Sequence, residues 1–370
     1  MRANCLIAAA RCGVLALIAT GCGQLASTSE SKSPTKTKTE PAKEPSSVPV
    51  KETAKEPAAA LPKLPLGLPA LKIPDDNPMT AEKIELGRML YFDTRLSKDG
   101  KISCATCHNP KEAWAEREPV STGIGGQKGG RNSPTVINAA YAPAQFWDGR
   151  AATLEEQALG PIENPIEMGH HLDAMIADLS KLDEYKERFQ KVFGTGITKD
   201  GVAKAIAAFE RTVLSGNSAF DRFKAGNEKA LSDAQKRGME LFESAGCSTC
   251  HAAPLFSNYR YYNAGVDAGK DKPDAGRMDV TKKETDRGKF RTPSLRDVAG
   301  TAPYFHDGSV AKLEDAVALM AVGGKDNPNI SPMLKAMSEA KLTDENKRDI
   351  VEFLKALSGE YPVVEPPKLP

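Results

Sequence analysis

"LGRMLYFDTRLSKDGKISCATCH" (Leu86–His108) and "RGMELFESAGCSTCH" (Arg237–His251) are two versions of one pattern. Each runs a short amphipathic stretch with a glycine and an aromatic into a turn and then Cys-x-x-Cys-His. Ser232 and Gln235 stand at capping-box spacing at the head of the second copy. A repeated unit of this size implies an internal duplication, and therefore two domains. Between the copies, "LDAMIADLSKL" and "VAKAIAAFERTVL" carry apolar residues at three- and four-residue spacing, the mark of amphipathic helices. No segment sustains period-2 alternation. The expected fold is mainly α, with two cytochrome c-like haem domains in tandem.

The pentapeptide also sets the chemistry. A c-type haem needs two thiols spaced for its vinyl groups and an imidazole immediately after them for the iron; Cys-x-x-Cys-His supplies all three. A thioredoxin-like dithiol lacks a βαβ context here and leaves the histidine unexplained. A zinc site would gather its four ligands together, whereas these motifs lie about 140 residues apart. Cys104, Cys107, Cys247 and Cys250 are thus expected to attach two haem c groups, with His108 and His251 as proximal ligands. Only His170, His171 and His306 remain. A thioether sulfur is a good sixth ligand for an electron-transfer haem, and an open position is what peroxide chemistry needs.

The N-terminus reads as that of an exported chain. Arg2 and Arg11 precede a short apolar run ending in "ATGC", too short to span a bilayer and suited to a secretory signal. Residues 1–21 read as a lipoprotein-type signal peptide, with lipid on Cys22; an ordinary cleaved signal is the alternative. Cleavage and lipidation consume three of the seven cysteines and the haem motifs take the other four, so none is left for a disulfide. A stretch of Ser, Thr, Lys, Glu, Pro and Ala follows, which cannot bury enough apolar surface to offset its ordering entropy. Residues 22–70 read as the lipidated cysteine and a flexible tether. The two haem domains then occupy 71–230 and 231–370. With 50 Lys and Arg against 49 Asp and Glu, nothing points to nucleic acid.

Six further segments carry a family likeness: "RNSPTVINAA", "QFWDGRAATLEEQALGPIENPIEMG", "AIAAFERT", "FRTPSLRDVAGTAPYFHDGS", "LEDAVALM" and "SCATCH" itself. From about Ala81 to Leu357 the chain resembles the bacterial dihaem cytochrome c peroxidases and the related methylamine dehydrogenase maturation enzyme. The resemblance implies a low-potential peroxidatic haem in the first domain and an electron-storing haem in the second. It implies that Trp147 relays electrons between them, that Glu167 and Gln157 work in the distal pocket of the first haem, and that Pro161 walls it. Glu155 and Glu156 are the competing carboxylates, read as solvated helix positions. Met320 is implied as the distal ligand of the second haem, with Met278 the weaker candidate and a core stripe with Leu313 and Val317 the alternative role. Asn132, Thr301 and Pro303 match residues that hold a calcium ion, a donor set suited to a hard cation. His306 is expected to hydrogen-bond near that ion rather than bind iron.

One departure stands out. Most such peroxidases carry, in the glycine-rich loop "STGIGGQKGGRNSPT" (Ser121–Thr135), a histidine that caps the first haem when oxidised; here the corresponding residue is Ile124. No histidine lies between His108 and His170. The loop does not spell G-x-G-x-x-G and no apolar strand precedes it, so it is no nucleotide site. The expectation is a first haem open to peroxide without prior reduction, with His170 or His171, read as lying at the exposed start of a helix, as the main substitutes. The expected activity is reduction of hydrogen peroxide with electrons from a small cytochrome c or cupredoxin, in the periplasm or cell envelope, on a membrane through the lipid alone, with a homodimer suggested by the resemblance. Two alternatives are oxidation of residues on a partner protein by the same high-valent haem chemistry, and a lipid-anchored electron carrier without catalysis.

Overall fold

The computed structural model describes residues 63–370; the signal segment, Cys22 and most of the tether lie outside the described residues. In chain order come α1 (Ala81–Phe92), α2 (Cys104–Cys107), α3 (Leu154–Glu163), α4 (Leu172–Leu179), α5 (Asp183–Phe193), α6 (Lys199–Glu210), α7 (Ala219–Lys224) and α8 (Asp233–Ser244). The second half adds β1 (Tyr261–Tyr262), α9 (Met278–Thr281), β2 (Phe290–Arg291), α10 (Leu313–Ala321), α11 (Pro332–Met337) and α12 (Asp344–Lys355). The two strands pair antiparallel and form the only sheet among the described residues. No helix among those residues is long and apolar enough to cross a membrane.

Helix starts are written in side chains. Thr80, Thr153 and Thr198 each accept a hydrogen bond from the backbone N–H three residues on, satisfying a donor the helix cannot. Ser232 with Gln235, and Thr343 with Asn346, close full capping boxes.

The duplication is visible in how the first and last helices of each half cross. A Cβ on Gly87 of α1 would meet Ala205 O of α6 at 1.9 Å and Phe209 Cβ at 2.8 Å. A Cβ on Gly238 of α8 would meet Asp349 O of α12 at 1.9 Å and Phe353 Cβ at 2.8 Å. Only glycine allows either backbone approach. This explains the glycine inside both amphipathic stretches, where helix propensity alone argues against it. Two apolar cores result. Leu86, Leu90, Tyr91, Trp114, Ile206 and Phe209 belong to the first, and Phe220, Phe242, Phe256, Ile350, Phe353 and Leu357 to the second.

Packing departs from the expected linear boundaries in three places. The chain docks before residue 71: Asn217 N donates to Leu66 O at 2.8 Å, Arg296 Nη2 to Gly67 O at 3.1 Å and Tyr141 Oη to Pro69 O at 2.9 Å. Its Leu-Pro composition supplies apolar contact that the preceding polar stretch lacks, and Leu68 is buried. Phe220, on the first-domain side of the 230/231 cut, packs in the second core. The tail returns to the first unit: Trp114 Nε1 donates to Pro362 O at 2.8 Å, and Tyr361, Val364 and Leu369 pack on the first core.

Candidate haem sites

Each Cys-x-x-Cys-His motif lines its own cavity. Cys104, Cys107 and His108 border one of about 600 Å³; Cys247, Cys250 and His251 border one of about 430 Å³. Both fall within the usual range for cofactor sites, roughly 300–1,000 Å³.

The histidines fit iron ligation. His251 Nδ1 lies 3.0 Å from Phe256 O. A carbonyl only accepts, so the proton sits on Nδ1 and the Nε2 lone pair is left for a metal. His108 Nδ1 is buried without a hydrogen bond, and the Pro134 and Trp114 backbones act on the ring. Burial pushes both imidazoles down to about 4, which keeps them neutral, the form that binds metal. Burial likewise pushes the Cys107 and Cys247 thiols up to about 11. Such thiols are not poised as thiolate nucleophiles, and no disulfide joins the four cysteines. The residues fit a covalently held haem in each cavity.

A second repeat sets the far walls. Asn138 and Asp297 (φ 58° in both), Phe146 and Phe305 (65° and 70°) and Gly149 and Gly308 (68° and 61°) are pairs 159 residues apart with matching left-handed backbone. The bridges Gln145–Ala151 and Tyr304–Val310 repeat at the same offset, and Leu154 and Leu313 open α3 and α10. In that register Pro161 is the counterpart of Met320, and each lines its own cavity. Of the expected alternatives, Met278 lies off the second cavity. Met337, which the sequence reading missed, does line it. Met337 Cγ, however, is 4.0 Å from the Cβ position of Gly246, the residue before Cys247.

Gln157, Pro161 and Glu167 line the first cavity together. Glu167 Oε1 accepts from Asn164 Nδ2 at 2.7 Å. Burial raises this carboxyl above the ordinary range, against the opposing pull of Arg150 and the Asn164 hydrogen bond. The Gln157 amide makes no side-chain hydrogen bond among the described residues, so its donors and acceptor are available to a ligand. The competing glutamates have other work. Glu155 was expected in solvent; it is instead half-buried in a two-pronged pair with Arg211 at 2.7 and 3.0 Å and accepts from Asn77 at 2.7 Å. Glu156 is exposed and accepts from Ala152 N at the head of α3.

The glycine loop answers differently from its sequence. A Cβ on Gly123 would meet Ile166 O at 2.0 Å and Glu167 Cα at 2.7 Å, so the close approach is to the backbone that carries Glu167. Ile124 N donates to Glu167 O at 2.8 Å, and the Ile124 side chain packs over Gly169, whose Cβ position is 3.3 Å from Ile124 Cγ2. Gly123, Gly129 and Gly130 line the cavity and Ile124 does not. His170 also corrects expectation: it is buried, not exposed, with Nε2 3.5 Å from Asp178, while His171 is exposed. Neither histidine lines the first cavity.

Trp147 lines both cavities. Its Nε1 donates to Asn132 O at 2.8 Å. Asn132 is buried and donates from N to His306 O at 2.7 Å and from Nδ2 to Glu118 O and Pro119 O at 3.2 Å each. Asn132 Oδ1 and the carbonyls of Thr301 and Pro303 receive no hydrogen bond among the described residues. His306 stacks on Phe290 at 3.6 Å and hydrogen-bonds Asp267 at 2.9 Å. Asp267, His306 and Asp307 could together hold a cation, but Lys270 already sits between the two carboxylates, within 2.6 Å of each.

Comparison with known proteins agrees with two haem units. Residues 81–229 match the family described as di-haem cytochrome c peroxidase, and residues 235–358 match cytochrome c. The cytochrome c551 peroxidase of Pseudomonas aeruginosa is 42% identical over 305 residues, covering 80% of this chain and 84% of that protein. The methylamine utilization protein MauG of Methylorubrum extorquens is 38% identical over 300 residues, covering 80% and 84%. A solved MauG-like protein associated with microbial copper homeostasis superposes with a TM-score of 0.73 at 33% identity, covering 82% of this chain and 96% of that one.

Proposed function

The chain belongs to the di-haem cytochrome c peroxidase family, and from that premise we propose that it reduces hydrogen peroxide to water at the first cavity, with electrons that enter at the second. It is an oxidoreductase of the peroxidase type with two haem c groups. The observation that carries the reading is the joint placement of Glu167, Gln157 and Pro161 on the cavity that His108 borders. A pure electron carrier has no use for an acid–base group there.

Haem held by Cys104, Cys107 and His108 would supply an iron that binds peroxide and provides the two electrons the reaction consumes. Glu167 moves the proton: as a carboxylate it accepts at Oε2 from one peroxide oxygen and returns the proton to the other, which leaves as water, while two protons from solvent and two electrons from the donor complete the second water. Asn164 holds Oε1 and so fixes which oxygen works. The Gln157 amide hydrogen-bonds peroxide and would hold it within reach of Glu167. Pro161 presents no ligand atom and keeps the far side free for substrate. Trp147 passes electrons between the cavities one at a time, and Met320 supplies the thioether at the second. Asn132 Oδ1 and the carbonyls of Thr301 and Pro303 would hold a calcium ion, oxygen ligands of the kind it prefers.

The same reading extends to activation. With Ile124 turned onto Gly169 and both nearby histidines off the cavity, no imidazole is available to close the first haem, so the oxidised enzyme is ready for peroxide. The donor would be a small cytochrome c or cupredoxin in the periplasm, with Cys22 carrying a lipid anchor. Likeness to MauG supports a second reading, oxidation of residues on a partner protein; Met320 on the second cavity, a thioether suited to an electron-storing haem, argues for the peroxidase. A steady-state assay with peroxide and reduced small cytochrome c separates them. Sustained turnover supports the peroxidase. Failure to turn over, with peroxide still oxidising the protein, supports the second reading.

A further inference from the structure

Glu210, at the end of α6, has no part in the chemistry above. It is 6% exposed, lines the first cavity, and its Oε2 is buried without any hydrogen-bond partner. Oε1 has none either among the described residues. The nearest cation, Arg211, is held in a two-pronged pair by Glu155. An unpaired carboxyl in such a place costs folding energy, because burial disfavours its charged form and nothing repays the lost water.

The duplication shows that the fold does not ask for it. Ala205 and Phe209 of α6 correspond to Asp349 and Phe353 of α12 through their shared contacts with Gly87 and Gly238. In that register Ile206 matches Ile350 and Glu210 matches Leu354; all four line the cavity of their own unit. Where the second unit has leucine, the first carries an orphan carboxyl beside its haem attachment site. The groups facing it are the phenol of Tyr91 from α1, the sulfur of Cys104 from α2, Glu155 from α3 and Arg211 from its own helix.

We propose that Glu210 is the proton acceptor that couples reduction of the first haem to proton uptake. The ferric centre carries one more positive charge than the ferrous, and in a low-dielectric cavity that charge favours the ionised carboxylate. When one electron arrives from the donor, the favouring charge is lost. The carboxylate takes one proton from solvent, forming an O–H bond, and the site stays neutral overall. Burial already pushes this carboxyl up to about 8 without the haem charge, so the exchange falls near physiological pH. The inference needs haem attached at Cys104–His108 and does not need peroxide turnover; a protein lacking the haem spectrum would fail the premise, not this step.

The test is spectroelectrochemical titration of each haem between pH 6 and 9 in the holoprotein and in Glu210→Gln and Glu210→Leu, the latter copying Leu354. The first-haem potential of the unaltered protein should fall with pH, by up to about 59 mV per unit for one proton per electron. Both variants should flatten that slope and leave the second haem unchanged. Equal slopes in protein and variants would overturn the proposal. Redox-difference infrared spectra of the unaltered protein provide an independent check: reduction should add a protonated-carboxyl band, and its absence would also overturn it.

Discussion

Trp147 Nε1 donates to the carbonyl of Asn132 at 2.8 Å, so the ring that faces both cavities is fixed by the residue proposed above to offer Oδ1 to calcium. Asn132 in turn donates to His306 O, at the wall of the second cavity. Whatever loosens Asn132 should disturb the ring between the haems. Chelation of calcium, or Asn132→Ala, is expected to slow electron transfer from the second haem to the first more than tenfold. Stopped-flow oxidation of the half-reduced protein by peroxide reads this directly, and added calcium should restore the chelated protein but not the variant.

Glu167→Gln keeps the shape and removes the base. The expected loss in kcat/KM for peroxide is about a hundredfold or more, in the range for general acid–base groups. Burial holds this carboxyl above its ordinary range, and the proposed mechanism uses the ionised form. Activity of the unaltered enzyme should therefore rise with pH through a limb above the ordinary carboxylate range, and the variant should lose that limb.

The 159-residue register predicts an exchange of roles. Pro161→Met should give the first haem the thioether that Met320 is proposed to give the second, converting it to a low-spin, peroxide-resistant centre. Met320→Leu should open the second haem and lower its potential, since thioether ligation raises it. Ferric absorption and resonance spectra distinguish both outcomes. Met337→Leu should change neither.

Arg296 and Asp221 form a buried two-pronged pair at 2.8 Å for both contacts. Removing the cation strands the carboxylate, so Arg296→Met should destabilise by about 3–5 kcal/mol in denaturant unfolding. Burial alone would raise the Asp221 carboxyl, but the Arg296 contacts prevail and hold it below the ordinary value. A folded-state value below the unfolded one gives stability that is present above the unfolded value and lost as pH falls through the folded one. The unaltered protein should thus lose this contribution in acid, while Arg296→Met shows a shallower acid decline.

The haem units were legible because Cys-x-x-Cys-His carries its chemistry in contiguous residues, and the helices because their periodicity and caps are local. Gly87 and Gly238 were visible as oddities within helices, but only the crossing of α1 with α6 and α8 with α12 explains them. Long-range pairing was the blind spot. Glu155 looks solvated until Arg211 and Asn77 are brought against it, and His170 looks exposed until the chain folds its flank inward. The docking of residues 66–69 and the return of the tail onto Trp114 depend on backbone acceptors, which leave no mark in the sequence.

The claim that the first haem needs no prior reduction is tested by mixing the fully oxidised protein with one equivalent of hydrogen peroxide in a stopped-flow spectrophotometer. An immediate change in the haem spectrum is expected, with peroxide consumed and no reductant present. A spectrum that stays unchanged until one electron is supplied would contradict it.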